Sequence, residues 1–238
     1  HGRLPASQAH ARPFLQAITH WAAICCDVRF GGQNVTPWNR RYTTLDFDPC
    51  ARYGAASFSI LQSSPVMAIA PLCDIAPDAV EHLLDLAFGP DRFARTAYRV
   101  RTGMPPLWPL CFADVDAAGS LRGTIQSWPV ALHSDDGGEQ ALIMVGPVAV
   151  HRDVQKMGIG SRLMNAMIAA AEDQGDTMAM MMIGDAEYYQ RWGFTAEETG
   201  GWTLPGPFEQ NRLLLRRGKS TPLARIGHVG PRVRATLS

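Results

Sequence analysis

Residues 149–163 read AVHRDVQKMGIGSRL. An apolar run of strand character enters this stretch, and an amphipathic run of helical character leaves it. Gln155, Gly158 and Gly160 stand between the two. Glycine has no Cβ, so Gly-x-Gly at a strand-to-helix junction lets the backbone come close to a bulky group. The first amides of the following helix have no intrahelical partner, and the helix dipole turns its positive end outward. Phosphate is the natural occupant of such a junction.

Two phosphate motifs fail here. The P-loop needs Gly-Lys-Ser/Thr after four residues and a first glycine, and none follows. Gly218-Lys219-Ser220 lies near the end of the chain, with Leu213 where that first glycine belongs and no helical pattern behind it. The dinucleotide fingerprint GxGxxG has Leu163 in place of its third glycine. What remains is Gln-x-x-Gly-x-Gly, filled by Gln155, Lys156, Met157, Gly158, Ile159 and Gly160.

Outward from the loop, QALIMVGPVAVH (140–151) is the longest strand candidate. Gly146-Pro147 interrupts it. Proline removes a ladder hydrogen bond, so the pair marks either a bulge or the end of one strand and the start of another. Residues 161–174 are expected to form an amphipathic helix with Leu163, Met164, Met167, Ile168 and Ala171 on one stripe, stopped by Gly175. TMAMMMIG (177–184) reads as a strand buried on both faces. Met178, Met180, Met181 and Met182 then serve as core filling. DAEYYQRW (185–192) reads as a short helix ended by Gly193, with Asp185 and Glu187 as its caps, and NRLLLRR (211–217) as a last strand.

Upstream, MAIAPLC (67–73) reads as a short strand. A helix from Pro77 carries Val80, Leu83, Leu84, Ala87 and Phe88 and ends at Gly89-Pro90. A second helix is expected over 91–102, with Phe93, Ala97 and Val100 on one side. LCFADVD (110–116) and LRGTIQSWPVALH (121–133) flank AAGS as a hairpin, and SDDGGE is the next turn. The order predicts an α/β fold of the mixed-sheet kind with helices on both faces.

The chain has 238 residues, 46% hydrophobic, which suits one domain with a sizeable core. Zero net charge gives no argument for nucleic acid or membrane, and no apolar run is long enough to span a bilayer. Cys25, Cys26, Cys50, Cys73 and Cys111 form no CxxC pair and no metal spacing; they read as reduced thiols of a cytoplasmic protein. Residues 65–216 hold 11 basic and 19 acidic residues, a charge of −8, between basic ends. An acidic surface attracts cationic ligands such as amines, and equally serves solubility. Residues 1–64 show no sustained period and read as an extension outside the fold. Met67 opens the organised part and is the expected natural start. Residues 65–217 are the expected domain, and 218–238 a basic tail.

The hexapeptide 155–160 resembles the pyrophosphate loop of the GNAT superfamily of N-acetyltransferases, whose pattern is Gln/Arg-x-x-Gly-x-Gly/Ala. YYQRWGF (188–194) is similar to a second signature of that family, an aromatic residue and then Gly-Phe. Gly184, Asp185, Tyr188, Tyr189, Arg191, Gly193 and Phe194 look closest to a branch of small, predicted bacterial acetyltransferases. The resemblance covers roughly residues 66–216. It implies the GNAT acyl-CoA N-acyltransferase fold: a mostly antiparallel sheet splayed at its central strand, with helices on both faces.

The same resemblance implies acetyl-CoA as cosubstrate, no metal, and a small-molecule or peptide amine as acceptor, handled by a monomer or homodimer. Val148, Ala149 and Val150 would pair with the pantetheine arm. Gln155, Lys156, Met157, Gly158, Ile159, Gly160 and Ser161 would hold the pyrophosphate. The amide of Val150 would face the oxyanion, and Tyr189 would give a proton to the departing thiolate. The general base stays open among Glu139, His133, His151 and a water relay. Arg191 either meets a carboxylate or reaches the cofactor. Tyr98, Trp128 and Trp202 either line an acceptor pocket or fill the core. Two rivals are a coenzyme-binding module without turnover and an enzyme for longer acyl chains.

Overall fold

The structure, a computed structural model, describes residues 68–175, 178–219 and 222–232. The extension expected over 1–64 lies outside them. In chain order the elements are β1 (Ala68–Pro71), α1 (Pro77–Phe88), α2 (Thr96–Val100), β2 (Phe112–Val115), β3 (Leu121–His133) and β4 (Glu139–Val150). There follow α3 (Ile159–Asp173), β5 (Ala179–Ile183), α4 (Ala186–Tyr189), β6 (Gly201–Thr203), β7 (Leu213–Arg216) and β8 (Ile226–Pro231). The sheet runs β1-β2-β3-β4-β5-β7, antiparallel except where β4 meets β5, and β8 pairs β3 and, in parallel, β6.

Sequence chemistry places these elements. Pro77 opens α1 where no amide partner is needed, and Val80, Leu83 and Leu84 are its buried face. Gly89 ends it at φ 88°. The stripe of α3 is buried as Leu163, Met164, Met167, Ile168 and Ala171. On β5, Met180 and Met182 pack toward α3, while Ala179 and Met181 join the opposite core with Val100 of α2. So the sheet has α3 on one face and α1 with α2 on the other.

Several boundaries differ from the sequence reading. The first strand stops at Pro71 and turns into a 3-10 segment, Leu72–Asp74. The helix expected over 91–102 is broken: Pro90–Ala94 is 3-10, Arg95 is extended, and only Thr96–Val100 is α-helical. The break accompanies Arg92, whose buried guanidinium binds Glu81, Asp85 and the Tyr98 hydroxyl. α3 begins at Ile159, earlier than read, because Gly158 caps it in the left-handed region at φ 72°. The fold also runs past residue 217, where the sequence reading ends the domain. β8 covers the half of β3 that β2 leaves bare, pairing Val130–His133 where β2 pairs Leu121–Ile125.

The centre of the fold is the bulge in β4. Ile125 faces Val148 and Ser127 faces Val145, so Gly146 and Pro147 together oppose Gln126. One extra residue reverses the alternation of side chains. Before it, Ile143 and Val145 face α3; after it, Val148 and Val150 do, and Ala149 turns to α1. The apolar run QALIMVGPVAVH is therefore one strand with a bulge. Its Gly146-Pro147 peptide is cis.

Candidate active site

Beyond the bulge β4 loses its second neighbour. β5 pairs Leu142, Ile143 and Met144, and no pairing follows. β5 itself continues to Ile183 against β7. The edge of Val148, Ala149 and Val150 that faces away from β3 thus borders a gap in the sheet. The strand exits through a 3-10 turn, Arg152–Val154, into the glycine loop. Lys156 takes φ 67° and Gly158 φ 72°, which folds the loop over the start of α3. Arg162 is the first residue whose amide bonds back, to the Gly158 carbonyl at 3.0 Å. The amides of Ile159, Gly160 and Ser161 therefore have no helical partner.

Gly160 sits in a tight space. A Cβ there would lie 3.3 Å from the Tyr188 hydroxyl and 3.9 Å from Val150. The Tyr188 hydroxyl also stands 3.3 Å from Ser161 Oγ. So Tyr188, the neighbour of the tyrosine assigned the proton by the resemblance, reaches the loop. Tyr189 packs beside the α3-side core, and its ring crosses Gly184, where a Cβ would meet it at 2.7 Å. The two rings stand at 88°. Burial, with the neighbouring Tyr188 and Asp185, pushes the Tyr189 hydroxyl up to about 12. The short helix is capped as expected, Asp185 accepting from the Glu187 amide at 3.0 Å. Gly193 turns the chain at φ 80°, and Phe194 is fully buried, so the Gly-Phe pair shapes the core behind the tyrosines. Arg191 donates to the Tyr188 carbonyl and stacks on Tyr188 and Trp192.

Two features escaped the sequence reading. Asp114 of β2 is 0% exposed and binds both Arg122 and Arg162. Arg162 in turn donates to the Met157 carbonyl at 3.0 Å, bracing the glycine loop. The only sequence signal is an acid inside an otherwise apolar strand. On the other face, Arg101 and Trp128 both donate to the Gly146 carbonyl at 2.9 Å, with Arg101 between the rings of Tyr98 and Trp128. Trp202 lies elsewhere, its indole on the Ala224 carbonyl.

The base candidates separate by position. His133 and Glu139 face one another at the far end of the β3–β4 pair, 3.8 Å apart. Glu139 is seven residues before the bulge, roughly 23 Å along a strand, so neither serves the gap. His151 sits at the exit of β4 and accepts from the Asp153 amide at 3.4 Å. Cys73 and Cys111 form no disulfide among the described residues, and burial pushes the Cys111 thiol up to about 12. Among the described residues no group of three His, Cys, Asp or Glu could hold a metal. No described helix is long and apolar enough to cross a membrane. A cavity of about 410 Å³ lined by Glu198, Trp202, Arg217 and Ala224 touches neither gap nor loop.

Residues 110–196 match a family described as an acetyltransferase (GNAT) domain. The structure is similar to that of a GNAT family N-acetyltransferase from Escherichia coli in complex with CoA, at 20% identity and a TM-score of 0.54, over 73% of this chain and 94% of that one. It is also similar to a GNAT family acetyltransferase from Brucella melitensis in complex with acetyl-CoA, at 23% identity and a TM-score of 0.45, over 71% and 97%. No curated protein matches the sequence. The described residues form a GNAT fold, and residues 110–196 within it match the model of the GNAT acetyltransferase domain.

Proposed function

We propose that the protein transfers the acetyl group of acetyl-CoA to a primary amine of a small molecule or peptide. One observation carries this: a central strand that parts from its neighbour after Met144 and runs directly into a glycine-shaped helix N-terminus. The residues fit coenzyme A, since the free edge of β4 suits an extended arm and the free amides of α3 suit a pyrophosphate. The Escherichia coli protein of the same fold holds CoA. In this reading Val148, Ala149 and Val150 pair with the arm, and Gln155 through Ser161 surround the phosphates.

Acetyl-CoA supplies the activated acetyl thioester. The Val150 amide donates to the carbonyl oxygen as negative charge builds there. Tyr189 donates toward the departing sulfur; a hydroxyl at about 12 stays protonated throughout the working range. It is a weaker acid than a thiol of pKa ≈ 8.5, so hydrogen bonding to the developing thiolate is its main contribution. No acid lies between Ala141 and Val150, so the ammonium of the acceptor loses its proton through water. Thiol release from acetyl-CoA across a broad amine panel tests the reading. Turnover on a subset of amines supports it. Coenzyme binding without turnover on any amine favours a binding module, and turnover only with longer acyl donors favours the other rival.

A further inference from the structure

The α1–α2 face of the bulge holds a cation that the fold does not neutralise. Arg101 is 6% exposed. It makes no ion pair among the described residues; Glu81, the acid that acts on it, is bound by Arg92. Burial draws its pKa down to about 10, a measure of how poorly its charge is matched. Its one hydrogen bond to the backbone goes to Gly146, through Nη1. A guanidinium carries five donors, so most remain for another group. No nitrogen of Arg101 is sealed without a partner, so the remaining donors are open to solvent or to Tyr98.

The neighbourhood repeats the pattern. Thr124, Gln126 and Trp128 alternate onto this same face of β3. Gln126 lies directly opposite the bulge and is 7% exposed, and its amide has no hydrogen-bond partner among the described residues. Thr124 Oγ1 is fully buried and unpartnered. Polar groups that the protein itself satisfies only in part, with Thr124 Oγ1 sealed and unpartnered among them, therefore gather beside the bend in β4, across the strand from the α3 side. A buried polar group that lacks a partner costs free energy, which a matching ligand recovers.

We propose that the acceptor amine carries a carboxylate, and that Arg101 receives it on the α1–α2 face of the β4 bulge with Gln126 beside it. The proposal rests on the acetyl-transfer reading and names its substrate class. The planar fork of a guanidinium matches a planar carboxylate. One cation matches one negative charge, which favours a carboxylate over a phosphate dianion. The transfer is balanced: the amine nitrogen bonds to the acetyl carbon, the carbon–sulfur bond breaks, the amine proton passes to water, and the thiolate takes a proton.

The test uses a panel of amino acids, each paired with its carboxamide, and two readouts. One is thiol release from acetyl-CoA. The other is calorimetric binding of the N-acetylated acid and the N-acetylated amide to the CoA-saturated protein. The acids should exceed the amides by at least about tenfold in kcat/KM and in affinity, since a site built for a polar group rejects the analogue lacking it. Arg101→Gln should erase that preference, Arg101→Lys should restore part of it, and Gln126→Leu should reduce it. Equal performance of acids and amides in both readouts overturns the proposal, and this wild-type comparison decides even if the variants fail to fold. A preference that survives Arg101→Gln overturns the assignment to Arg101. Turnover without acid preference keeps acetyl transfer and removes the carboxylate site. Acid-selective binding that depends on Arg101, without turnover, keeps the site and removes acetyl transfer.

Discussion

Adjacent tyrosines on one short helix take different positions. Tyr188 presents its hydroxyl to Ser161, whereas Tyr189 lies across Gly184 with its hydroxyl free of any described partner. Tyr189→Phe keeps the ring and removes the donor, so kcat should fall by at least about tenfold, less than the roughly 100- to 10,000-fold of full acid catalysis because the hydroxyl acts mainly as a hydrogen-bond donor. Coenzyme affinity should change little. Tyr188→Phe should do the reverse, weakening coenzyme A by a few-fold at near-normal kcat, because its hydroxyl belongs to the loop. Kinetics on an acceptor whose chemical step is slow, with calorimetry for the coenzyme, separates the two; equal kcat for both variants would remove Tyr189 from the chemistry. The raised pKa also fixes a sign. Tyr189 loses its proton only near pH 12, so kcat should show no descending limb below about pH 11. The spacing to Gly-Phe singles out Tyr189 in the sequence, but not the position of Tyr188. That depends on how the short helix sits against the glycine loop, which brings the Tyr188 hydroxyl to 3.3 Å from Ser161 Oγ.

The strand–loop–helix unit joins local chemistry to packing. The glycine loop was legible because two glycines at a strand-to-helix boundary have few other uses. Its brace was not, because Arg162 is 48 residues from Asp114 and reaches it only when α3 packs against the β2–β3 hairpin that already joins Asp114 to Arg122. The bulge was half legible: Pro147 demands an irregularity, yet an apolar run has no alternation to betray the change of face. Each part has its own test. Gly160→Val puts a side chain into the space shared by Tyr188 and Val150. It should largely abolish coenzyme A binding with native circular dichroism; unchanged affinity would move the phosphate site elsewhere. Asp114→Ala leaves two arginines without their buried acid and should lower stability by up to about 3 kcal/mol, the scale of a broken buried pair reduced by the partial exposure of Arg162. It should also weaken coenzyme A, since Arg162 then loses its hold on the Met157 carbonyl. A stability loss with unchanged coenzyme affinity would show that the brace does not reach the loop.

At the scale of the molecule, the order of the larger elements follows from periodicity, while the closing strands do not. β6 and β8 are short and rich in glycine, a residue that weakens strand propensity. Here it is needed for close approach. A Cβ on Gly201 would lie 2.3 Å from the Arg225 carbonyl oxygen, and one on Gly227 would lie 2.5 Å from that of His133. The basic residues around them read as a tail, yet β8 completes the flank of the long strand β3 and buries Val229 fully. Ala224 supplies the acceptor for the Trp202 indole. The two ends of the chain should therefore respond differently to truncation. A chain beginning at Met67 keeps every described element, and we propose that residues 1–64 are dispensable, with melting temperature and coenzyme affinity unchanged. A chain ending at residue 217 loses the strand pairing of β3 and β6 and the burial of Val229, a side chain worth about 1.5–3 kcal/mol by itself. With the unpaired Trp202 donor added, a loss of roughly 4 kcal/mol is expected. That corresponds to about 10 °C in melting temperature for a domain of this size. Calorimetric melts of both chains decide the matter. A large fall for the first would place part of residues 1–66 in the fold, and an unchanged melt for the second would mean that β8 adds nothing to the sheet it closes.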